Sequence, residues 1–345
     1  MVVLLGVRVA TALTPGLTAA AALEKWDSVH WVAAATSGYP HHLPLADGHL
    51  AGSTAAFFPA YPLLVRVVSA VTGLGSFKAA LFVSNGTGLV ATIALWHLTR
   101  ALCDTGTADR SSALFCLFPG ALAFSMAYSE GTMLALAIPC VWALVARRWL
   151  LAGCLAGLAT ATRPNAVALA ACCALVAAHA VWTRREWRSL VAPLLSPAGV
   201  IAFVVFLHHQ TGRWDAWPRT EREGWGERVN PRSVWIALRA FQHHSWQPTA
   251  TLILLGALTV AVFLPLLLWS KLPWPLSAYA ILVLVPAVAS QQISTKPRLV
   301  LAAFPLFVGA ADRLRPVAYQ ITVGLMAALT VATTAYLLSS PLTAP

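Results

Sequence analysis

A few short polar stretches interrupt an otherwise apolar chain, and each carries a group that could do chemistry. Trp26-Asp27-Ser28 offers a carboxylate that can activate an acceptor hydroxyl brought within about 3 Å. Asp is also a favoured N-cap, so Asp27 could instead open a helix over residues 28–34. Tyr128-Ser129-Glu130 places a second carboxylate at the junction of two apolar runs, where an unhydrated charge is costly and marks a functional candidate. Its structural alternative is favourable placement at a helix N-terminus. Arg163, before Pro164 and Asn165, has a planar fork suited to phosphate oxygens, or to an ion pair with Asp27 or Glu130. In Gln291–Arg298, Lys296 and Arg298 could close an electropositive pocket with Arg163, or snorkel to lipid headgroups. Ser294 and Thr295 could cap or donate there. The pairs His41-His42, His208-His209 and His243-His244 invite a metal reading. However, neighbours on a regular element rarely both reach one ion, and no H-E-x-x-H frame contains them. A P-loop, a G-x-G-x-x-G turn and a G-x-S-x-G elbow are absent, which leaves nucleotide hydrolysis and ordinary hydrolase chemistry without support.

The elements that must position these groups are helices in a bilayer. The chain has 345 residues, 59% hydrophobic and 10% charged, whereas soluble domains carry roughly 25% charged residues. Such a chain cannot clothe a water-facing surface, but it can face lipid. Spans are expected at about 2–23, 76–99, 111–127, 131–146, 149–162, 165–183, 190–208, 249–269, 274–290, 299–311 and 316–338. The expected fold is therefore all-α, a polytopic bundle of about eleven spans forming one integral membrane domain over 1–345. The cysteines sit mostly in apolar runs and read as small buried hydrophobes. The run after Met1 lacks a basic start and contains Arg8, which favours a retained span over a signal peptide. The net charge of +11 lies in short clusters rather than a basic stripe, so lipid phosphates are expected as partners and nucleic acid is not.

Basic residues set the orientation. Arg100, Arg110, Arg147, Arg148, Arg184, Arg185, Arg188, Lys271, Arg313 and Arg315 fall in one alternating set of connections. Arg163, Lys296 and Arg298 fall in the other. The first set, with the N-terminus, is expected in the cytoplasm of a cell-membrane protein. Two long segments, 24–75 and 209–248, then lie outside. The first contains Trp26, Trp31, Tyr39, histidines and a Phe-Phe-Pro-x-Tyr-Pro run; the second is rich in Arg and Trp. Long connections are uncommon without a function, so chemistry is expected on the external face.

With these motifs in order, the chain resembles the PIG-V-like mannosyltransferases, bacterial relatives of GPI mannosyltransferase II in the GT-C class of membrane glycosyltransferases. The resemblance rests on Lys25-Trp26-Asp27-Ser28, Gly38-Tyr39, and Ala56-Phe57-Phe58-Pro59-Ala60-Tyr61-Pro62-Leu63-Leu64. It continues through Tyr128-Ser129-Glu130, Thr162-Arg163-Pro164-Asn165, Arg298-Leu299 and Phe304-Pro305-Leu306-Phe307, over residues 24 to 309. Residues 30–31 and 41–54 depart from the family pattern, which leaves the acceptor open. The resemblance implies inverting transfer of a mannosyl or other hexosyl residue from a polyprenyl-phosphate donor at the external leaflet. It makes Asp27 the general base or acceptor-orienting group and has Glu130 order the pocket or bind sugar hydroxyls. It assigns the leaving phosphate to Arg163 with Lys296 or Arg298, and places Tyr128 and Asn165 among the binding residues. Trp26, Tyr61 and aromatics of 214–246 would line the sugar and tail groove. No metal is assigned; Asp27, Glu130 and Asp47 are the external carboxylates that a divalent cation could meet. The competing classes are a secondary transporter or lipid flippase, which should show paired broken helices in two halves, and a scaffold, which would leave the charged residues scattered.

Overall fold

The computed structural model describes residues 2–339 apart from 229, 231, 243–247 and 290–295, so His243, His244, Ser294 and Thr295 lie outside the described residues. The described chain is helical, except for one short hairpin in which Leu45–Ala46 pairs antiparallel with His49–Leu50. Its Asp47-Gly48 turn has φ of 52° and 78°, the geometry that favours an Asp-Gly pair in a two-residue loop.

Among the described residues, five helices are long and apolar enough to cross a bilayer: Ser76–Leu102, Pro164–Arg184, Trp187–Thr211, Thr249–Trp269 and Pro316–Ser339. Pro119–Ser125 and Glu130–Val145, bent by 110° at their break, make a sixth if the pair is one span. The expectation of about eleven spans is corrected accordingly. Val2–Leu13, Ala60–Thr72, Trp149–Thr160 and Trp274–Val288 are apolar but short. Twelve residues rise only about 18 Å, against a hydrocarbon core of about 30 Å. The run 2–23 breaks after Val2–Leu13, where Gly16 takes φ +82°, and the run 299–311 splits into Pro297–Val300 and Pro305–Arg313. Hydropathy records apolar surroundings; it does not record whether a helix continues through them.

The outer surface agrees with a lipid setting. Leu89, Val90, Ile93, Leu258, Ile321 and Leu325 are exposed on the long helices, where water would penalise them and acyl chains do not. Inside, Val2–Leu13 packs along Pro316–Ser339, and Ser76–Leu102 packs on Glu130–Val145.

Several basic connections are tied to one another. The Arg110 guanidinium donates to the Leu314 carbonyl, and Arg313 donates to the Trp269 carbonyl at 2.5 Å. Elsewhere the segment 24–75 is more than a loop: it contains helices Asp27–Thr36 and Ala60–Thr72, with Phe57 buried against Trp31 and Phe58 against Phe203 and Trp217. The segment 216–228 folds onto it. A Cβ on Gly52 would stand 2.8 Å from the Trp225 ring, and one on Gly224 would stand 2.8 Å from the Ala51 carbonyl. Glycine at both positions lets the two segments close on each other.

Candidate active site

Asp27 and Glu130 each begin a helix, Arg163 and Lys296 each precede one, and Arg298 lies in the first turn of its own. Asp27 is the first residue of Asp27–Thr36, after Trp26 at φ +55° and ψ −127°. That backbone is strained for a bulky residue, a condition that recurs at functional sites. Trp26, not Asp27, occupies the cap position, and no side chain caps this end. The capping alternative for Asp27 is thereby set aside. Its carboxylate instead accepts a hydrogen bond from Arg298 Nη1 at 2.5 Å.

Glu130 opens Glu130–Val145, just after the sharp bend, and is 2% exposed. Gly131 permits this placement, since a Cβ there would meet Thr87 Oγ1 at 2.8 Å on the helix Ser76–Leu102. Ser84 of that helix fixes the approach: it receives the Tyr128 N–H at 3.1 Å and donates to the Tyr128 carbonyl at 2.8 Å. Arg163 is extended, as a residue before proline tends to be, and precedes the turn Pro164–Ala166 that leads into Val167–Arg184. Its Nη1 lies 2.6 Å from Glu130 Oε1 and donates to Ser129 Oγ at 3.3 Å. Lys296 and Arg298 flank Pro297 at the start of Pro297–Val300, a turn held close to Gly120. Arg298 stands 4.0 Å from Glu130 Oε1, and its guanidinium carbon lies 5.3 Å from the Tyr128 ring centre.

The result is a chain of charges, Asp27–Arg298–Glu130–Arg163, with Lys296 alongside. Glu221 and Glu227 stand on the wall of the same cavity, so the three cations there face four carboxyl groups in all. Arg163 and Lys296 are 9% and 7% exposed, and in such poorly hydrated surroundings fixed charge acts strongly on a reacting group. Burial opposes the charge on Asp27. The charge and hydrogen bond of Arg298, with Arg163 and Lys296 behind it, outweigh that and hold the carboxyl below its ordinary value. Lys296, on the connection before Pro297, is pushed down to about 8, first by burial and then by Arg298, against the pull of Asp27 and Glu227.

Asp27, Arg163, Lys296 and Arg298 line one cavity of about 360 Å³, together with Trp26 and Trp225. An apolar groove of about 600 Å³ adjoins it, sharing Arg163, Pro164 and Glu227 and running between Val167–Arg184 and Trp274–Ala289. Asn165 belongs to this groove rather than to the cavity. Tyr128 lies beneath Arg298 and lines a narrow pocket on its other side. Tyr61 is fully buried, with its hydroxyl 2.8 Å from Ser84 Oγ and its ring packed on Trp31. It stands behind the cavity wall, so the expected contact with the sugar or tail is replaced by a supporting one.

Of the aromatics in 214–246, Trp225 reaches the cavity, where its ring meets His30 at 4.6 Å and Phe57 at 5.8 Å. Trp214 stacks on His208 instead, and Trp246 lies outside the described residues. Three cavity residues escape the sequence reading: His30, Glu221 and Glu227. Their signal is weak because they sit on irregular or amphipathic stretches. The only hint is the Gly224-Trp225-Gly226 triplet beside the two acids, with Gly226 at φ +70°. Among the described residues, no three His, Cys, Asp or Glu side chains converge as metal ligands.

A family profile described as Mannosyltransferase (PIG-V) matches residues 12–210, more than half of the chain. The fold is similar to that of ArnT from Cupriavidus metallidurans bound to undecaprenyl phosphate, with a TM-score of 0.60, 16% identity, and coverage of 94% of this chain and 62% of that one. It is also similar to the apo oligosaccharyltransferase of Archaeoglobus fulgidus, with a TM-score of 0.52, 12% identity, and coverage of 98% and 55%. This chain thus spans less than two thirds of either protein, and at these identities the likeness concerns the fold alone. No curated protein sequence matches the chain.

Proposed function

The chain belongs to the mannosyltransferase (PIG-V) family, and on that premise we propose that it transfers a mannosyl residue from a polyprenyl-phosphate donor to an acceptor hydroxyl, with inversion, at the external membrane face. The observation that carries this reading is the junction of the charged cavity with the apolar groove at Arg163 and Pro164. An amphipathic donor fits such a junction. Its tail lies in the groove, its phosphate meets Arg163 and Lys296, and its sugar enters the cavity beside Trp225.

In the reaction the acceptor oxygen attacks the anomeric carbon as the bond from that carbon to the phosphate oxygen breaks. Polyprenyl phosphate leaves towards the cations, and the acceptor proton passes to the Asp27 carboxylate. While paired with Arg298, Asp27 is a weak base. The donor phosphate competes for Arg298, and Asp27 regains basicity as that contact loosens. Glu130 holds Arg163 in place throughout.

The direct test uses purified protein in nanodiscs with radiolabelled polyprenyl-phosphate mannose and a membrane lipid extract. A labelled product that separates from the donor on chromatography is expected. No product from mannose, glucose or other hexose donors would sink the transferase reading.

The orientation has its own check. Single Cys substitutions at residues 45 and 222 should label from outside, and those at 105, 186 and 312 from inside. The motive is the crowding of basic residues into one set of connections. Labelling of 45 and 105 from the same side would overturn the arrangement.

A further inference from the structure

Glu221 is a carboxyl that the reaction above does not use, yet it lies on the wall of the same cavity. It sits on a wide turn, Thr220–Gly224, where the Trp225 N–H reaches back to the Thr220 carbonyl at 3.0 Å and the Glu227 N–H to the Glu221 carbonyl at 2.9 Å. Turns of this open kind within helical segments are uncommon and gather at functional sites. This one delivers Glu221, Trp225 and Glu227 to one place. Beyond it is an outer hollow of about 570 Å³ that shares Glu221, Glu227 and Pro164 with the cavity and adds Trp217. Arg163 therefore stands where the apolar groove meets the cavity, and Glu221 where the cavity meets the outer hollow.

We infer that Glu221 is the acceptor-binding carboxyl of the site, holding a hydroxyl next to the reactive one on a polyol that packs against Trp217. The inference rests on the transferase reading and names the chemical class of its acceptor. The donor takes the apolar groove, whose wall does not include Glu221. The outer hollow meets the groove at Pro164, Glu227 and Arg228 and is the side that Glu221 lines, so the acceptor enters there. Indole faces give a sugar ring an apolar seat, and a carboxylate has lone pairs for two vicinal hydroxyls. Trp217 Nε1 is 3.4 Å from Glu221 Oε1, a long contact that leaves the carboxyl acceptor capacity to spare.

The charge state of Glu221 supplies a second handle. Burial, then the nearby charges of Glu227 and Asp27, push it up to about 7 against the Trp217 hydrogen bond and Arg163. Lys296 and His30 face the same cavity, and Arg222 and Arg228 the outer hollow. As pH rises from 6 to 8, Glu221 ionises and becomes a stronger acceptor for hydroxyls. Acceptor affinity should rise with it.

The test titrates n-octyl α-D-mannopyranoside as acceptor and polyprenyl-phosphate mannose as donor, for the wild type, Glu221→Ala and Glu221→Gln, between pH 6 and 8. Glu221→Ala should raise the acceptor KM on the order of 10- to 100-fold, with the donor KM within about 2-fold. Glu221→Gln keeps a carbonyl acceptor without a titrating charge. It should recover most of the acceptor affinity and lose the pH dependence of acceptor KM, which separates Glu221 from His30 and Lys296. Thermal melts establish that both variants fold, and the glutamine variant decides the matter if the alanine one does not. Equal effects on the two KM values, an unchanged acceptor KM, or a wild-type pH slope in Glu221→Gln would overturn the assignment. So would a wild type that uses the lipid extract but not the octyl mannoside, with the transferase reading left standing. A wild type inactive on every donor and acceptor removes both.

Discussion

Asp27→Asn is expected to lower the transfer rate about 10²–10⁴-fold, the usual loss when a general base is removed. The substitution preserves size and removes charge. Because Trp26 holds the cap position, no capping bond is lost; the loss of a negative residue from the first helical turn costs about 0.3–1 kcal/mol. Arg298 loses its partner at 2.5 Å, yet Glu130 remains 4.0 Å away. The melting temperature should therefore fall modestly, and donor binding should persist. A steady-state transfer assay beside thermal melts and donor-binding measurements separates these effects. Wild-type turnover by a folded Asp27→Asn protein would refute the proton-accepting role.

Arg163→Ala carries the second large effect, and it has two parts that a single variant cannot separate. One is loss of the phosphate contact, read as impaired donor use. The other is structural, since Glu130 is 2% exposed and would lose its partner at 2.6 Å, keeping only Arg298 at 4.0 Å. Breaking a buried pair costs roughly 3–5 kcal/mol. Adding Glu130→Gln to Arg163→Ala removes the stranded charge, so the double variant should recover much of the thermal stability and little of the donor affinity. Arg163→Lys should recover only part of the activity, because lysine keeps the charge but loses the fork. Donor KM and melting temperature are the two readouts. Restoration of both by Glu130→Gln would show that Arg163 serves the fold alone.

The site was legible in the sequence to the extent that its residues break the apolar pattern. Asp27, Glu130, Arg163, Lys296 and Arg298 each follow or interrupt a hydrophobic run, which makes a charge conspicuous. Tyr61 was misplaced because the Phe-Phe-Pro-x-Tyr-Pro run reads as an exposed aromatic loop, whereas it begins the buried helix Ala60–Thr72. Glu221 and Glu227 do not stand out in the sequence, because a segment rich in both signs of charge gives no reason to single out two acids. The span count failed for a related reason: Trp149–Thr160 and Val2–Leu13 have the composition of a crossing without its length.

The sequence by itself determined that this chain lives in a bilayer as a helical bundle. Apolar surface of that extent has no stable place in water, and backbone polar groups in lipid must be satisfied within helices or a closed barrel, of which long continuous apolar runs choose the helix. It also determined which residues were free to do chemistry, because charges are rare here. Only the tertiary structure decided how those charges combine. Arg298 is 271 residues from Asp27 along the chain, and Arg163 is more than thirty residues beyond Glu130. No local periodicity encodes which carboxylate each arginine meets. Those pairings follow from close helix approaches at Gly131 and Gly120, and the opposing cavity wall follows from Gly52 and Gly224. Each is a steric fact about two distant segments, and it exists only once they pack.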